Sequence, residues 1–522
     1  MGTFQTGITF NKGILTNGAA LPNNDFISGM IFNNTALPSG WPSSGIKQCL
    51  SIQDAINGGI DGKHEDETAA TGSYAITHGA AGAGDTISVY VQEPVNPLNT
   101  STNPNKVLLV TYTCVSGDTT ASTLATNLTN AINANKAANG GYSASVTSAT
   151  VTVTARPGLG IALNSGTPIS VTITGGTIAG TITQFSDGVG SKLDVYYYHI
   201  SEFFRMNPIG NLWVMVDTTA AYTTTFASVS TLQAAALGVI RQVGIYNEGR
   251  TVVADIDADA NALNTVCQTL DTNKMPLSAV LVEDMSAVTD LTTLPNLSLL
   301  NDEWVSVNIS QDGSAQGWTL FQAYGKTISN LGALLGCISA VPVSACIAQP
   351  IPALNITNGT ENQIPCFGNG AQFSATSITL QTELDNYRYI YAGNYVGYTG
   401  TYFNDSHCAI ISNSNYAYIE ENRVEAKIER LLYSAYLPLL KSQLQLNADG
   451  TLFGPLVYSL ESVGDNVLNQ NMVAQGELSA VKTVISATQN ITASGKLVVT
   501  VNEIDNPVAR NIQINVNSVT AL

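Results

Sequence analysis

Residue types able to do chemistry are sparse in this chain, and each group of them lacks something its chemistry needs. The run Gly79-Ala80-Ala81-Gly82-Ala83-Gly84-Asp85 has the glycine density of a phosphate-binding loop. Such a loop opens a helix, whose first N–H groups meet the anion, and carries a lysine. This run has no lysine and leads into the alternating stretch Thr86–Gln92, which reads as a strand. A plain β-turn is the better reading. Asp255, Asp257 and Asp259 have the spacing of an oxygen-ligand loop for Ca²⁺, but the glycine and the terminal glutamate of such a loop are missing. Acids at a strand end are ordinary. His64, His78, His199 and His407 are far apart, with no zinc-ligand spacing. No GxSxG elbow occurs, and no motif places a Cys beside a His. The sequence therefore predicts no catalytic residue, no metal ligand and no cofactor.

The densest signal runs from Tyr387 to Lys441. Tyr387, Tyr389 and Tyr391 alternate as in a strand. A Gly- and Tyr-rich turn follows through Gly397, Gly400 and Tyr402, and then a long helix is predicted from about Tyr416 to Leu440. Val424, Ile428, Leu431, Leu432, Ala435 and Leu439 form its apolar stripe. Arg423, Lys427 and Arg430 fall at i, i+4 and i+7 among Glu420, Glu421, Glu425 and Glu429. That pattern reads either as salt bridging along a solvated helix or as a charged face for a partner of opposite charge. Pro438 should kink the helix end.

Composition narrows the class. The 522 residues allow about three or four domains. Only 11% are charged against 44% hydrophobic, so Gly, Asn, Ser and Thr fill the polar positions. Such a surface suits a virion protein or one largely covered by neighbours. The net charge of −18 argues against nucleic acid as a partner and against an anionic membrane. No apolar run reaches the ~18 residues of a membrane span. Leu331–Cys346 comes nearest and is broken by Ser339 and Pro342. The start, Met1-Gly2-Thr3-Phe4-Gln5, has neither the basic nor the apolar part of a secretion signal, so no signal peptide is expected. Seven scattered cysteines without CxxC spacing predict free, buried thiols.

In chain order the pattern is α/β plus β. Phe4, Ile8 and Phe10 share one face of an extended stretch, so residues 1–22 read as an N-terminal arm. Residues 23–67 and 188–345 read as one discontinuous α/β domain with a mostly parallel sheet. Its expected strands are Ile27–Phe32, Asn211–Asp217, Arg250–Ile256, Ser278–Glu283 and Val305–Ile309, and its expected helices are Ile46–Asn57, Leu232–Gly244, Ala260–Thr272 and Leu320–Gly336. Residues 68–187, rich in Thr, Ser and Gly, read as an inserted β-rich domain with one helix, Thr119–Asn135. Residues 346–490 follow as a further domain, with a helix expected to start near Asn466. Residues 491–522 read as a second β arm. Leu497, Val499 and Val501 share one face there, and Ile512, Ile514 and Val516 share another. A lone hairpin is marginal and an open edge invites another chain, so deleting 491–522 is expected to abolish assembly and spare the fold.

The run Tyr389…Gly400-Thr401-Tyr402-Phe403-Asn404-Asp405…Tyr416-Ala417-Tyr418-Ile419-Glu420…Asn422-Arg423-Val424…Lys427…Arg430-Leu431-Leu432 resembles the C-terminal domain of contractile tail sheath proteins of phages and phage-like injection systems. The resemblance covers roughly residues 380–522 well and 190–340 more loosely. It implies a subunit stacked in six-fold rings around an inner tube protein, with a baseplate and a tail terminator as further partners, in a virion tail or injection particle. It implies that the arms about Thr3–Leu15 and Lys496–Val519 add strands to neighbouring copies, that Tyr387, Tyr389 and Tyr391 belong to a receiving sheet, and that Arg423, Lys427 and Arg430 are the candidate tube contact. It implies neither nucleic acid nor membrane insertion. Two other readings stay open: a non-contractile, adhesin-like surface protein binding a receptor or glycan, and an α/β enzyme with a β appendage.

Overall fold

The computed structural model describes residues 24–78, 82–99, 105–219, 222–250 and 255–516. The expected N-terminal arm, with Phe4, Ile8 and Phe10, lies outside them.

Continuous apolar strands between helices must be covered on both faces. Seven strands do this in the order Tyr389–Ile390, Val305–Asn308, Ser278–Glu283, Gln242–Asn247, Ile27–Asn33, Asn211–Asp217 and Ile46–Cys49. All pair in parallel except the last, which runs antiparallel to Asn211–Asp217. Successive side chains go to opposite faces. Met30 and Phe32 join Val214 and Val216 beneath the Lys192–Met206 and Leu331–Ala340 helices. Ile31, Ile245 and Leu281 face the Ala227–Ala235 and Ile256–Thr272 helices.

Residues between Thr68 and Val189, which bridge to each other, build a separate β-rich unit. A four-stranded sheet (Ser143–Thr147, Thr150–Thr154, Thr71–His78, Ala179–Ser186) faces a three-stranded one (Lys106–Thr113, Thr86–Gln92, Ile169–Thr174). The Ala121–Ala134 helix closes a core of its own around Leu124, Leu128, Val89 and Val153. With its entry and exit side by side, the unit interrupts the α/β fold without disturbing it. The protein is thus a mixed α/β and β chain of several parts.

Several expected elements are divided by backbone geometry. Leu232–Gly244 is not one helix: the helix ends at Ala235, and Leu237 and Gly238 take positive φ before the Gln242–Asn247 strand begins. Leu320–Gly336 is two helices, Gln316–Tyr324 and Leu331–Ala340, separated at left-handed Gly325. Ile46–Asn57 starts as a strand and becomes helical only at Ile52, after Ser51. The region of Arg250–Ile256 is described only at its ends, and Ile256 opens a helix. The helix expected to begin near Asn466 spans Gly454–Leu468. All seven cysteines are buried and free.

The tightest helix crossing rests on glycine. A Cβ on Gly332 would stand 2.1 Å from the His199 carbonyl oxygen, and one on Gly336 2.6 Å from the Met206 Cβ. Because the obstacle at Gly332 is backbone, a side chain there has to push the two helices apart. Gly332→Val should cost about 3 kcal/mol or more, read as a lower denaturant midpoint, whereas Gly454→Ala, with nothing within 4 Å of the added carbon, should change stability by no more than about 0.5 kcal/mol.

Candidate assembly interface

The long helix spans Ile419–Tyr436 and ends in a 3-10 turn, Leu437–Leu439, at Pro438. Glu421 accepts a hydrogen bond from the Tyr418 N–H at 3.1 Å, closing the helix start. Val424 and Ile428 of the apolar stripe are buried against Val343, Leu468, Met472 and Leu478, with Leu431 and Leu432 beside them.

Arg423, Lys427 and Arg430 do not form an exposed face. Arg423 is 4% exposed and donates to the carbonyls of Pro342 and Val341 at 3.2 and 3.3 Å. Lys427 lies 2.7 Å from both Asp25 and Glu477, and Arg430 2.6 Å from Asp25. Burial raises the Asp25 carboxyl, but Arg430 and Lys427 outweigh it and hold it below the usual range. The charged face expected at Arg423, Lys427 and Arg430 is thus turned to partners within the chain. Asp25 sits just ahead of the first strand of the sheet and Glu477 just ahead of the Leu478–Val484 strand, so the helix spends its cations on its own chain.

The sheet expected to receive an arm is also closed. Tyr387 caps the Ile378–Asn386 helix and enters no strand. Tyr389–Ile390 pairs with Val307–Asn308 at the sheet edge. On the outer side Asn404 imitates a further strand. Its amide donates to the Tyr389 carbonyl at 3.1 Å, its side-chain oxygen accepts from the Tyr391 N–H at 2.7 Å, and its own N–H donates to the Tyr391 carbonyl at 2.8 Å.

The C-terminal arm divides into two parts. Thr500–Asp505 pairs antiparallel with Leu478–Val484 of the same chain. Val501 packs with the Val424 cluster, and Leu497 and Val499 pack against Leu452, Val457, Leu460 and Ile485. Deleting 491–522 would thus strip a strand from the chain's own hairpin, contrary to the expectation that the fold would be spared. Residues 506–516 have no regular secondary structure. In them Ile512 and Ile514 are 79% exposed and Val516 89%.

One residue ties this tail to the body. The Arg510 guanidinium lies 3.2 Å from the centre of the Tyr418 ring, pairs with Asp405 at 3.0 Å and donates to Glu420. Ser406 also donates to Glu420, at 2.5 Å. Burial pushes the Glu420 carboxyl up, and Arg510 pulls it back. Neither Asn404 nor this clasp was visible as a site in the sequence, but a signal existed: Arg510 is the sole Lys or Arg after Lys496.

On the outer side of the helix acidic side chains predominate, with Lys274 as a cation near Glu429. Glu425 and Glu429 face Glu503 of the hairpin and Asp271 of the Ile256–Thr272 helix. Burial and the adjoining carboxylates push Glu429 and Glu503 up to about 7.

The profile described as DUF2586, N-terminal domain, matches residues 75–407, and that of the DUF2586 C-terminal domain matches residues 415–522. No curated protein matches. Among solved structures the chain is similar to one from the anti-feeding prophage (AFP) baseplate, six-fold symmetrised, with 12% identity, 62% of this chain and 80% of that chain covered, and a TM-score of 0.42. It is also similar to a chain of an extracellular contractile injection system, the PVC sheath complex in its contracted state, with 13% identity, coverage of 63% and 81%, and a TM-score of 0.41.

Removing Arg510 leaves Glu420 buried with less compensation, so its carboxyl should rise further. A carboxyl raised by folding costs stability increasingly as pH rises above its unfolded value. Arg510→Ala should therefore lower the melting temperature more at pH 8 than at pH 5, and Glu420→Gln in that background should restore most of the difference. By the same sign, Glu429→Gln should stabilise the protein at pH 8 and leave it nearly unchanged at pH 4 in denaturant titrations.

Proposed function

The chain belongs to the DUF2586 family, and we propose that it is a structural subunit that polymerises by lending its C-terminal tail to a neighbouring copy, in the manner of a contractile tail sheath. The observation that carries this reading is the tail itself. Beyond the Arg510 anchor, Ile512, Ile514 and Val516 alternate with Gln513 and Asn515 in an extended, exposed segment. Three large apolar side chains in water at period two are a strand without a sheet. Covering them contributes about 1.5–3 kcal/mol each before the cost of ordering, and main-chain hydrogen bonds add register.

The acceptor in this reading is the terminal hairpin. Among the described residues the Thr500–Asp505 strand has a neighbour on one side only, whereas Asn404 closes the Tyr389–Tyr391 edge. A tail that fits a different patch on the next copy makes a head-to-tail contact, and repetition without closure builds a helical tube. The resemblance of residues 380–522 to sheath C-terminal domains supports the same reading. On it the role is structural rather than catalytic. The partners are further copies, an inner tube protein, a baseplate and a terminator, within a virion tail or injection particle.

Removing residues 511–522 should leave the melting temperature within about 2 °C of the full chain, because the described side chains of 511–516 are all exposed, and should abolish rings or tubes in negative-stain micrographs. Ile512→Lys with Ile514→Lys should do the same. Full-length protein that stays monomeric at high concentration, or a truncated chain that still assembles, would overturn the reading.

A further inference from the structure

The tail and a free strand edge belong to one chain, and the structure does not join them. Thr500–Asp505 has Leu478–Val484 on one side and, among the described residues, no strand on the other. Residues 506–516 follow at once and pair with nothing. Their length does not forbid a return. A turn over 506–509 would set Arg510 opposite Asp505, Ile512 opposite Glu503, Ile514 opposite Val501 and Val516 opposite Val499. Residues opposite each other in an antiparallel pair share a face. Ile514 and Val516 would then join the face on which Val501 and Val499 already pack. A segment on a short tether acts at an effective concentration on the order of millimolar, so the chain's own tail has the advantage over that of a neighbour.

The chain is nevertheless led elsewhere. The Asn506 side chain donates to the Gly476 carbonyl and accepts from the Ser479 hydroxyl at 2.6 Å, which binds it back to the start of the partner strand. Pro507 has no N–H with which to extend a ladder. The backbone then bends, the Arg510 N–H donating to the Val508 carbonyl at 3.0 Å. The Arg510 guanidinium closes on the Tyr418 ring, Asp405 and Glu420 at the start of the long helix. In the returned register it would stand opposite one carboxylate, Asp505. In the clasp it meets two carboxylates and the face of a ring, and charge-assisted bonds to a guanidinium are strong.

We propose that Arg510 decides between these arrangements, holding the tail off its own hairpin so that the open edge of Thr500–Asp505 is left for the tail of another copy. The identity of that guest rests on the assembly reading above, whereas the choice itself is made within a single chain. Arg510 is in this sense a positioning residue. It forms no part of the pairing surface, and it acts by removing the nearest competitor for it.

Hydrogen–deuterium exchange of the full chain, diluted until it is monomeric, reads the choice. In the unmodified protein the amides of 511–516 should exchange at the unprotected rate. In Arg510→Ala these amides and those of 500–505 should slow by about tenfold or more, and rings or tubes in negative-stain micrographs should become scarce. Asp405→Asn with Glu420→Gln keeps the arginine, removes both acidic partners and leaves no buried charge behind. It should give the same protection, and it decides the matter if Arg510→Ala does not fold. Tail amides that stay fast in the variants, or that are already slow in the monomeric unmodified chain, would overturn the proposal. An unmodified chain that never assembles overturns the assembly reading alone, because the exchange measurement is made on the monomer.

Discussion

A charge withdrawn from water must find an opposite charge or a set of hydrogen bonds, because the desolvation cost of an isolated ion exceeds what the surrounding apolar contacts return. The long helix turns Arg423, Lys427 and Arg430 toward the body of the protein, and much of the architecture follows from that choice. Asp25 has to lie at the start of the first strand, the carbonyls of Val341 and Pro342 have to be free beyond the buried Leu331–Ala340 helix, and Glu477 has to precede the hairpin. Three separated parts of the chain are thereby indexed to one helix face. The apolar stripe beside it, with Val424 and Ile428, supplies the contact area, but apolar packing alone would tolerate a slip that ion pairs do not.

The same constraint is met differently at the tail. Glu420 is buried at the start of that helix, and Arg510 reaches it from an extended segment with no sheet or helix to hold it. Arg510 is at once the compensation for a buried carboxylate and the last tether before a row of exposed apolar residues. Asn404 does for backbone groups what Arg510 does for a charge. Its side chain satisfies the outer edge of the Tyr389–Ile390 strand, so that the sheet ends there instead of inviting another strand. The sheet edge is thus closed within the chain, whereas Ile512, Ile514 and Val516 of the tail stay exposed.

Much of the fold was legible. Asn211–Asp217 and Ser278–Glu283 are apolar along their whole length, as strands covered on both faces are, and the Ala121–Ala134 and Ile419–Tyr436 helices show their buried faces at regular spacing. Legibility failed where a local break was decisive. Leu237-Gly238 and Gly325 each divide a stretch whose composition suits one helix, because positive φ at one residue interrupts a hydrogen-bond ladder that composition does not register. The candidate site was legible only in part. The exposed face of Ile512, Ile514 and Val516 followed from alternation. The apparent identity of Leu497, Val499 and Val501 with that pattern was misleading, since Val501 has a partner strand within the chain and Leu497 and Val499 pack against its own apolar cluster.

The sequence by itself determined the class of the protein: alternating strands and helices, an inserted β-rich unit, a long charged helix and a C-terminal alternating segment. These are local properties, set by side-chain periodicity and backbone preference over a few turns. Tertiary structure alone decided which of two similar strands is spent inside the fold and which is left over, and which way the charged helix faces. Both depend on distant partners, Leu478–Val484 for the strand and Asp25 and Glu477 for the helix, and the energy of a pair of groups belongs to their separation in space, which no spacing along the chain encodes.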